Sequence, residues 1–187
     1  MKLRTLTFTM IASGMLILPA AGMAQSGTTA APAPMQNTAA QELDGDDKDF
    51  LENAAQSGHA EIEGSKMAQS KAMSPEVKAF AQQMIDDHTR VSEELAALAK
   101  TKGYTPPTEP SIVQRTKLKA LSAMDDGFDE SYADQIGVEA HEDAVEMFKE
   151  AAADAEDPDI KAFAAKTLPA LEKHLQMARD LKSKVDK

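Results

Sequence analysis

Two stretches of this chain open a helix in almost the same way. Ser74-Pro-Glu-Val-Lys-Ala-Phe-Ala81 and Asp157-Pro-Asp-Ile-Lys-Ala-Phe-Ala164 each set a capping side chain, a proline and an acidic residue in that order. Ser or Asp at an N-cap accepts from the free N–H groups of the first turn. Proline in the first helical position has no N–H to lose, and its φ is already helical. A carboxylate there meets the positive end of the helix dipole. The repeat implies two related helical hairpins, each turning at one of these breaks.

The apolar residues on either side recur at spacings of three and four, one face of an α-helix. Helix 1 is expected over 46–72, with Phe50, Ala54, Gly58, Glu61, Ser65, Ala68 and Ala72 on one face. Helix 2, over 75–102, carries Val77, Phe80, Met84, His88, Val91, Leu95 and Leu98, and Gly103 closes it. Thr105-Pro-Pro-Thr-Glu-Pro110 excludes helix. A short helix over 111–124 follows, with Ile112, Leu118 and Leu121 apolar. Helix 3, over 126–155, presents Val138, His141, Val145, Phe148 and Ala152; Asp129 is its expected cap, and Tyr132 is expected to bury its ring and hydrogen-bond its hydroxyl. Helix 4, over 158–184, presents Ile160, Phe163, Thr167, Leu171, His174, Ala178 and Leu181, and Pro169 should kink it. The expected fold is all-α: a four-helix bundle over 46–185 with one long crossover between helices 2 and 3, which makes those two parallel.

Composition agrees with helices and narrows function. Aromatic residues are 4% of 187, with no Trp, which argues against a β-sandwich or barrel. The absence of cysteine excludes disulfides, thiolate metal sites, cysteine nucleophiles and a lipidated cysteine. A formal net charge of −11 argues against nucleic acid as a partner. There is no Gly-rich phosphate loop, and no Ser–His–Asp spacing that supports a hydrolase. The methionines are scattered as core filler rather than gathered as copper ligands.

The N-terminus reads as a targeting signal. Lys2 and Arg4 precede an apolar run from Leu6 to Leu18, then Pro19 and the small residues up to Ala24. The run is too short and interrupted for a transmembrane helix, which needs ~20 apolar residues. Residues 1–24 are therefore expected to be a cleaved signal peptide, and 25–45, rich in Ala, Pro, Ser and Thr, a disordered linker. No transmembrane segment is expected in the mature chain. Its compartment would be the periplasm of a bacterial envelope, with an envelope partner that the sequence does not name.

The chemistry lies in the polar residues on the apolar faces. Three of the four histidines, His88, His141 and His174, fall on core stripes, and so does Glu61. His59 lies beside the helix 1 stripe, facing outward. At a rise of ~1.5 Å per residue, His141 and His174 are nearly equidistant from the turn at Asp157, and Glu61 and His88 from the turn at Ser74. With helices 2 and 3 parallel, all four converge near the middle of the bundle. One carboxylate and three imidazoles form a plausible shell for one divalent transition-metal ion: Fe, Mn, Zn or Cu. The residues three before the histidines are Ile85, Val138 and Leu171, so the Glu-x-x-His pattern of di-iron bundles is missing. Asp86 and Asp87 read as a solvated face, or as acceptors for an imidazole N–H.

The run Asp49-Phe-Leu, Ala60-Glu-Ile-Glu and Ala68, then Val77-Lys-Ala-Phe-Ala and Met84-Ile-Asp-Asp-His88, then Phe128-Asp, Tyr132 and His141, then Leu168-Pro-Ala-Leu and His174-Leu resembles the DUF4142 family. These are exported bacterial proteins with a ferritin-like helical bundle, often labelled outer membrane proteins. The resemblance covers residues 46 to 183 and implies the fold and export; the family's biochemical function is unassigned. With neither β-barrel alternation nor a lipidation cysteine, a soluble periplasmic protein is expected, with association to the outer membrane as the alternative. Two functional readings stay open. One is metal binding through Glu61, His88, His141 and His174, for storage, redox protection or an oxidase activity. The other is a non-catalytic envelope or stress-protective protein whose Glu/His cluster is structural. A metal-free acid/base enzyme built on the same cluster is a third.

Overall fold

The computed structural model describes residues 42–186; the signal peptide and most of the linker expected from sequence lie outside these residues. Every regular element among them is helical: α1 (Gly45–Lys71), α2 (Pro75–Thr101), α3 (Ile112–Ser122), α4 (Phe128–Tyr132), a π-helical segment (Ala133–Glu139), α5 (Ala140–Asp154) and α6 (Pro158–Val185). None of these helices is long and apolar enough to cross a membrane.

The two repeated breaks form as their chemistry dictates. Ser74 Oγ accepts from the N–H groups of Glu76 and Val77 at 3.2 and 3.3 Å. Asp157 Oδ1 accepts from Asp159 and Ile160 at 2.9 and 3.2 Å. Replacing Ser74 with Ala is expected to cost about 1 kcal/mol of stability, measured by urea denaturation; no loss would mean the proline alone sets this start. Gly103 ends α2 at φ 72°, a left-handed conformation that costs glycine nothing. The last helix runs unbroken through Pro169.

The two hairpins clamp each other's turns. Asp47 is buried on α1, and its carboxylate accepts from the N–H groups of Glu156 and Asp157, at the α5–α6 turn. Asp129 does the reverse, accepting from Met73 and Ser74 at the α1–α2 turn. It was expected to cap its own helix; instead Gly127 occupies that position, with no side-chain cap. The Asp129 carboxylate makes charge-assisted bonds to the free N–H groups of Met73 and Ser74, which no backbone carbonyl serves at that turn.

Packing joins α1 to α2, α5 to α6, α1 to α5 and α2 to α6. The connection after α2 carries α3, which lies along α1: Gln114 reaches Ser57, and Lys71 Nζ donates to the carbonyl of Ser122. Leu118 and Leu121 are buried, but Ile112, expected on the apolar face of α3, is 75% exposed. The core has two apolar parts. One gathers Phe50, Leu95, Phe148, Phe163 and Leu171. The other gathers Val77, Phe80, Met84, Leu121, Phe128 and Tyr132. Glu61, Ser65, His88, His141 and His174 are buried as well and belong to neither cluster.

One local feature departs from the expected single α-helix over 126–155. The rod from Phe128 to Asp154 keeps right-handed helical dihedrals at each junction but widens to π geometry over Ala133–Glu139. This shifts the buried face, so that Tyr132, Ala133, Ile136 and Gly137 point inward and Val138, expected there, is only half-buried. A Cβ on Gly137 would sit 3.2 Å from the Cβ of Ala178, so the bare glycine lets α6 approach this wide turn.

Candidate metal centre

Four elements each contribute one side chain to the buried polar group: Glu61 from α1, His88 from α2, His141 from α5 and His174 from α6. Their exposures are 1, 4, 0 and 3%. The structure brings together all four residues singled out from the sequence. The three imidazole rings form a triangle with centroid separations of 5.3, 5.4 and 5.6 Å. One ring nitrogen from each lies within 4.8 Å of the other two. The fourth histidine, His59, is half-buried on α1, in the wall of a groove beside Tyr104 and Pro106.

The contacts assign the ring nitrogens. His141 Nδ1 lies 3.1 Å from the carbonyl oxygen of Ile136, which can only accept, so Nδ1 carries the proton and donates. This leaves His141 Nε2 with its lone pair toward the centre, 3.3 Å from His88 Nε2 and 3.5 Å from Glu61 Oε2. His174 Nε2 lies 3.1 Å from Asp87 Oδ2 and donates to it, leaving Nδ1 as the acceptor nitrogen. His88 Nε2 is 2.8 Å from Glu61 Oε2. That approach is close but off the line of the ring N–H, so Glu61 Oε2 has no aligned donor; His174 Nδ1 has no partner either.

Burial and charge set the protonation states. Burial pushes the Glu61 carboxyl up, but the three histidines around it outweigh burial and hold it below its ordinary value. Burial pushes His88 down, and the adjacent Glu61 more than reverses this, so His88 titrates above an ordinary histidine. Burial lowers His141, with Glu61 opposing it only in part. His174 is pushed down to about 4 by burial and then by His88 and His141, against the pull of Asp87. The cluster thus sets a carboxylate beside the most basic of the three imidazoles, while His141 and His174 are both biased toward the neutral form.

The donor set and its spacing fit a transition metal. Ligand atoms about 2.0–2.1 Å from a tetrahedral ion lie about 3.3 Å apart. The contacts among Glu61 Oε2, His88 Nε2 and His141 Nε2 are 2.8, 3.3 and 3.5 Å. The two buried atoms without partners, Glu61 Oε2 and His174 Nδ1, each have a lone pair to offer. Asp87 and the Ile136 carbonyl hold the far nitrogens of two rings, the role outer partners play around metal-bound histidines. The Ile136 carbonyl was not foreseen from sequence, whereas Asp87 takes the second of the two roles the sequence offered it, an imidazole acceptor. Asp87 was read foremost as solvated, though it lies one residue before His88, while Asp86 does face solvent. The carbonyl of Ile136 reaches a residue five positions on only because the helix is widened there. The signal for this was the spacing of Phe128, Tyr132, Ile136 and His141, which steps by four, four and then five.

Next to the centre, Tyr132 is buried with its hydroxyl 2.8 Å from Ser65 Oγ, as its sequence context suggested. Burial raises its hydroxyl well above the usual range, so it stays protonated. Tyr132→Phe is expected to cost about 1 kcal/mol in urea denaturation, because Ser65 Oγ loses its buried partner. The same variant should leave metal content unchanged.

Comparison with known proteins places this geometry in context. The family described as "Domain of unknown function (DUF4142)" matches residues 31–181. No curated protein matches the sequence. Among solved structures, the chain resembles a DUF305 fragment from Deinococcus radiodurans, with a TM-score of 0.66 at 12% identity, covering 76% of this chain and 98% of that one. It also resembles CopM in its Cu(I)-bound form, with a TM-score of 0.63 at 22% identity, covering 74% of this chain and 96% of that one. CopM in the Cu(II)-bound form gives the same TM-score at 19% identity. At these identities the likeness is one of helical fold.

Proposed function

This chain belongs to the DUF4142 family, whose description assigns no function, and from that premise we propose that it binds one divalent transition-metal ion in the bacterial periplasm. Glu61, His88, His141 and His174 are the ligands in this reading. The observation that carries it is the buried trio His88, His141 and His174, one ring nitrogen of each within 4.8 Å of the others, with His174 Nδ1 unpartnered and the Glu61 carboxylate 2.8 Å from His88. A buried polar network that only fixed helix register would satisfy its own members, since an orphaned buried acceptor costs about 1–3 kcal/mol. An ion among the three imidazoles would satisfy such a lone pair. It would act as a Lewis acid, and as a redox centre if it were iron, copper or manganese. The protein's part is to hold four donors in place, fix the far nitrogens of two rings and exclude bulk water.

Fe, Mn, Zn and Cu all accept such a donor set. A helical neighbour solved with both Cu(I) and Cu(II) makes copper the first ion to test. Export rests on the N-terminal pattern of Lys2, Arg4, the apolar run and Ala24. We read the architecture as a ferritin-like four-helix bundle with one long crossover; the reciprocal clamps of Asp47 and Asp129 and the path of α3 along α1 support it.

The test is elemental analysis of the mature protein, exported to the periplasm and purified without a His tag, beside His141→Ala. About one equivalent of metal in the wild type, absent from the variant, is expected. Metal in neither protein, even after reconstitution, would sink the reading and leave the cluster as a structural polar core.

A further inference from the structure

Glu61 is almost fully buried, yet two small cavities reach it. One, of about 80 Å³, lies in the seam between α1, α3 and the π-helical segment, and Glu61 forms part of its wall. The other, of about 20 Å³, is walled by Glu61 and His88 and is large enough for about one water. Ser57 borders both.

The larger cavity is covered by α3. Gln114 Nε2 on α3 donates to Ser57 Oγ at 3.2 Å, across the seam. Further along, Lys117 Nζ stands 3.8 Å from Glu139 Oε2, both side chains more than half exposed. Such exposed pairs hold weakly and open readily. Glu139 and Asp143, two exposed carboxylates, border the cavity with Lys117 as the cation beside them. An acidic rim by itself binds nothing in particular. Here the cavity behind it is walled by a buried carboxylate that has an unpartnered oxygen.

We propose that this seam is the route by which a metal cation reaches the centre. Glu139 and Asp143 concentrate cations at its mouth, the Gln114–Ser57 contact restricts it, and Glu61 is the ligand met first. A rim of one charge sign raises the local concentration of counter-ions and speeds their capture. The route rests on the metal-binding reading of the cluster. It also gives α3 a role beyond joining two hairpins, as the cover of the ligand that faces the seam.

The experiment is stopped-flow uptake of Cu(II), added as the chloride to metal-free mature protein and followed by its ligand-field absorbance. The double variant Glu139→Gln/Asp143→Asn should load about tenfold more slowly at low ionic strength, with the difference fading at high salt and the end point unchanged. Gln114→Ala should load faster to the same end point. Asp46→Asn/Asp49→Asn removes the same charge from exposed positions at the start of α1 and should load at the wild-type rate. Wild-type rates in both seam variants, or equal slowing in the α1 control, would overturn the route while leaving the metal site standing. No Cu(II) uptake by the wild type would overturn the metal reading and the route with it.

Discussion

Replacing Glu61 with Gln is expected to destabilise the metal-free protein by about 3 kcal/mol at pH 6 and to abolish metal uptake. The carboxylate is buried 2.8 Å from His88 Nε2, and against the pull of burial it is the main group, with Asp87 adding to it, that raises His88 above an ordinary histidine. Removing one partner of a buried pair costs ~3–5 kcal/mol when the other charge is stranded. Here the stranded group can escape by releasing its proton, which sets the pH dependence. His88 titrates above its unfolded value, so the pair's stabilisation is fully present below about pH 6.5 and fades as pH rises through the folded value. The penalty of Glu61→Gln should therefore shrink toward pH 8. Urea denaturation at pH 6 and pH 8 in chelator measures it, and a double-mutant cycle with His88→Asn isolates the pair. A loss under about 1 kcal/mol, equal at both pH values, would show that the pair is not ionised as described.

Acid should weaken the metal-free fold well above the pH at which carboxylates titrate. His174 is held neutral down to about 4, while in the unfolded chain it protonates near its ordinary value of 6.5. The unfolded state then binds the extra proton throughout that window, and stability falls as pH falls from about 6.5 to about 4. The gap corresponds to a loss of about 3 kcal/mol from this one group. His141 is lowered too and adds in the same direction. His88 does not offset the trend, because its contribution is already complete below 6.5. Urea midpoints between pH 7 and pH 4 should decline, and His174→Gln should flatten the decline. A wild-type slope that this variant leaves intact would place the acid sensitivity elsewhere. Bound metal should suppress the effect, since it competes with the same protons.

Much of the fold was legible because its signals are local. The caps at Ser74 and Asp157, the stripes of α1 and α6 and the glycine after α2 follow from hydrogen bonding and periodicity within a few residues. Every residue named on the α6 stripe is buried, and so is every one on α1. Departures occur where a residue answers to a distant partner. Asp129 leaves its own helix to serve the N–H groups of Met73 and Ser74. Ile112 stays exposed because α3 turns Leu118 and Leu121 toward the core instead. The wide turn at Ala133–Glu139 has no cap or proline to announce it, and it replaces Val138 on the inner face with Ile136 and Gly137.

The centre divides along the same line. By itself the sequence determined that Glu61, His88, His141 and His174 lie on core faces at one height, because helical rise and period are properties of the backbone. Only the tertiary structure decided which atoms meet. Asp87 pairs with His174 across α2 and α6, the widened turn brings the Ile136 carbonyl onto His141 Nδ1, and α3 closes over the seam beside Glu61. Those contacts depend on interhelical distances of a few ångströms, and no spacing along one helix encodes them.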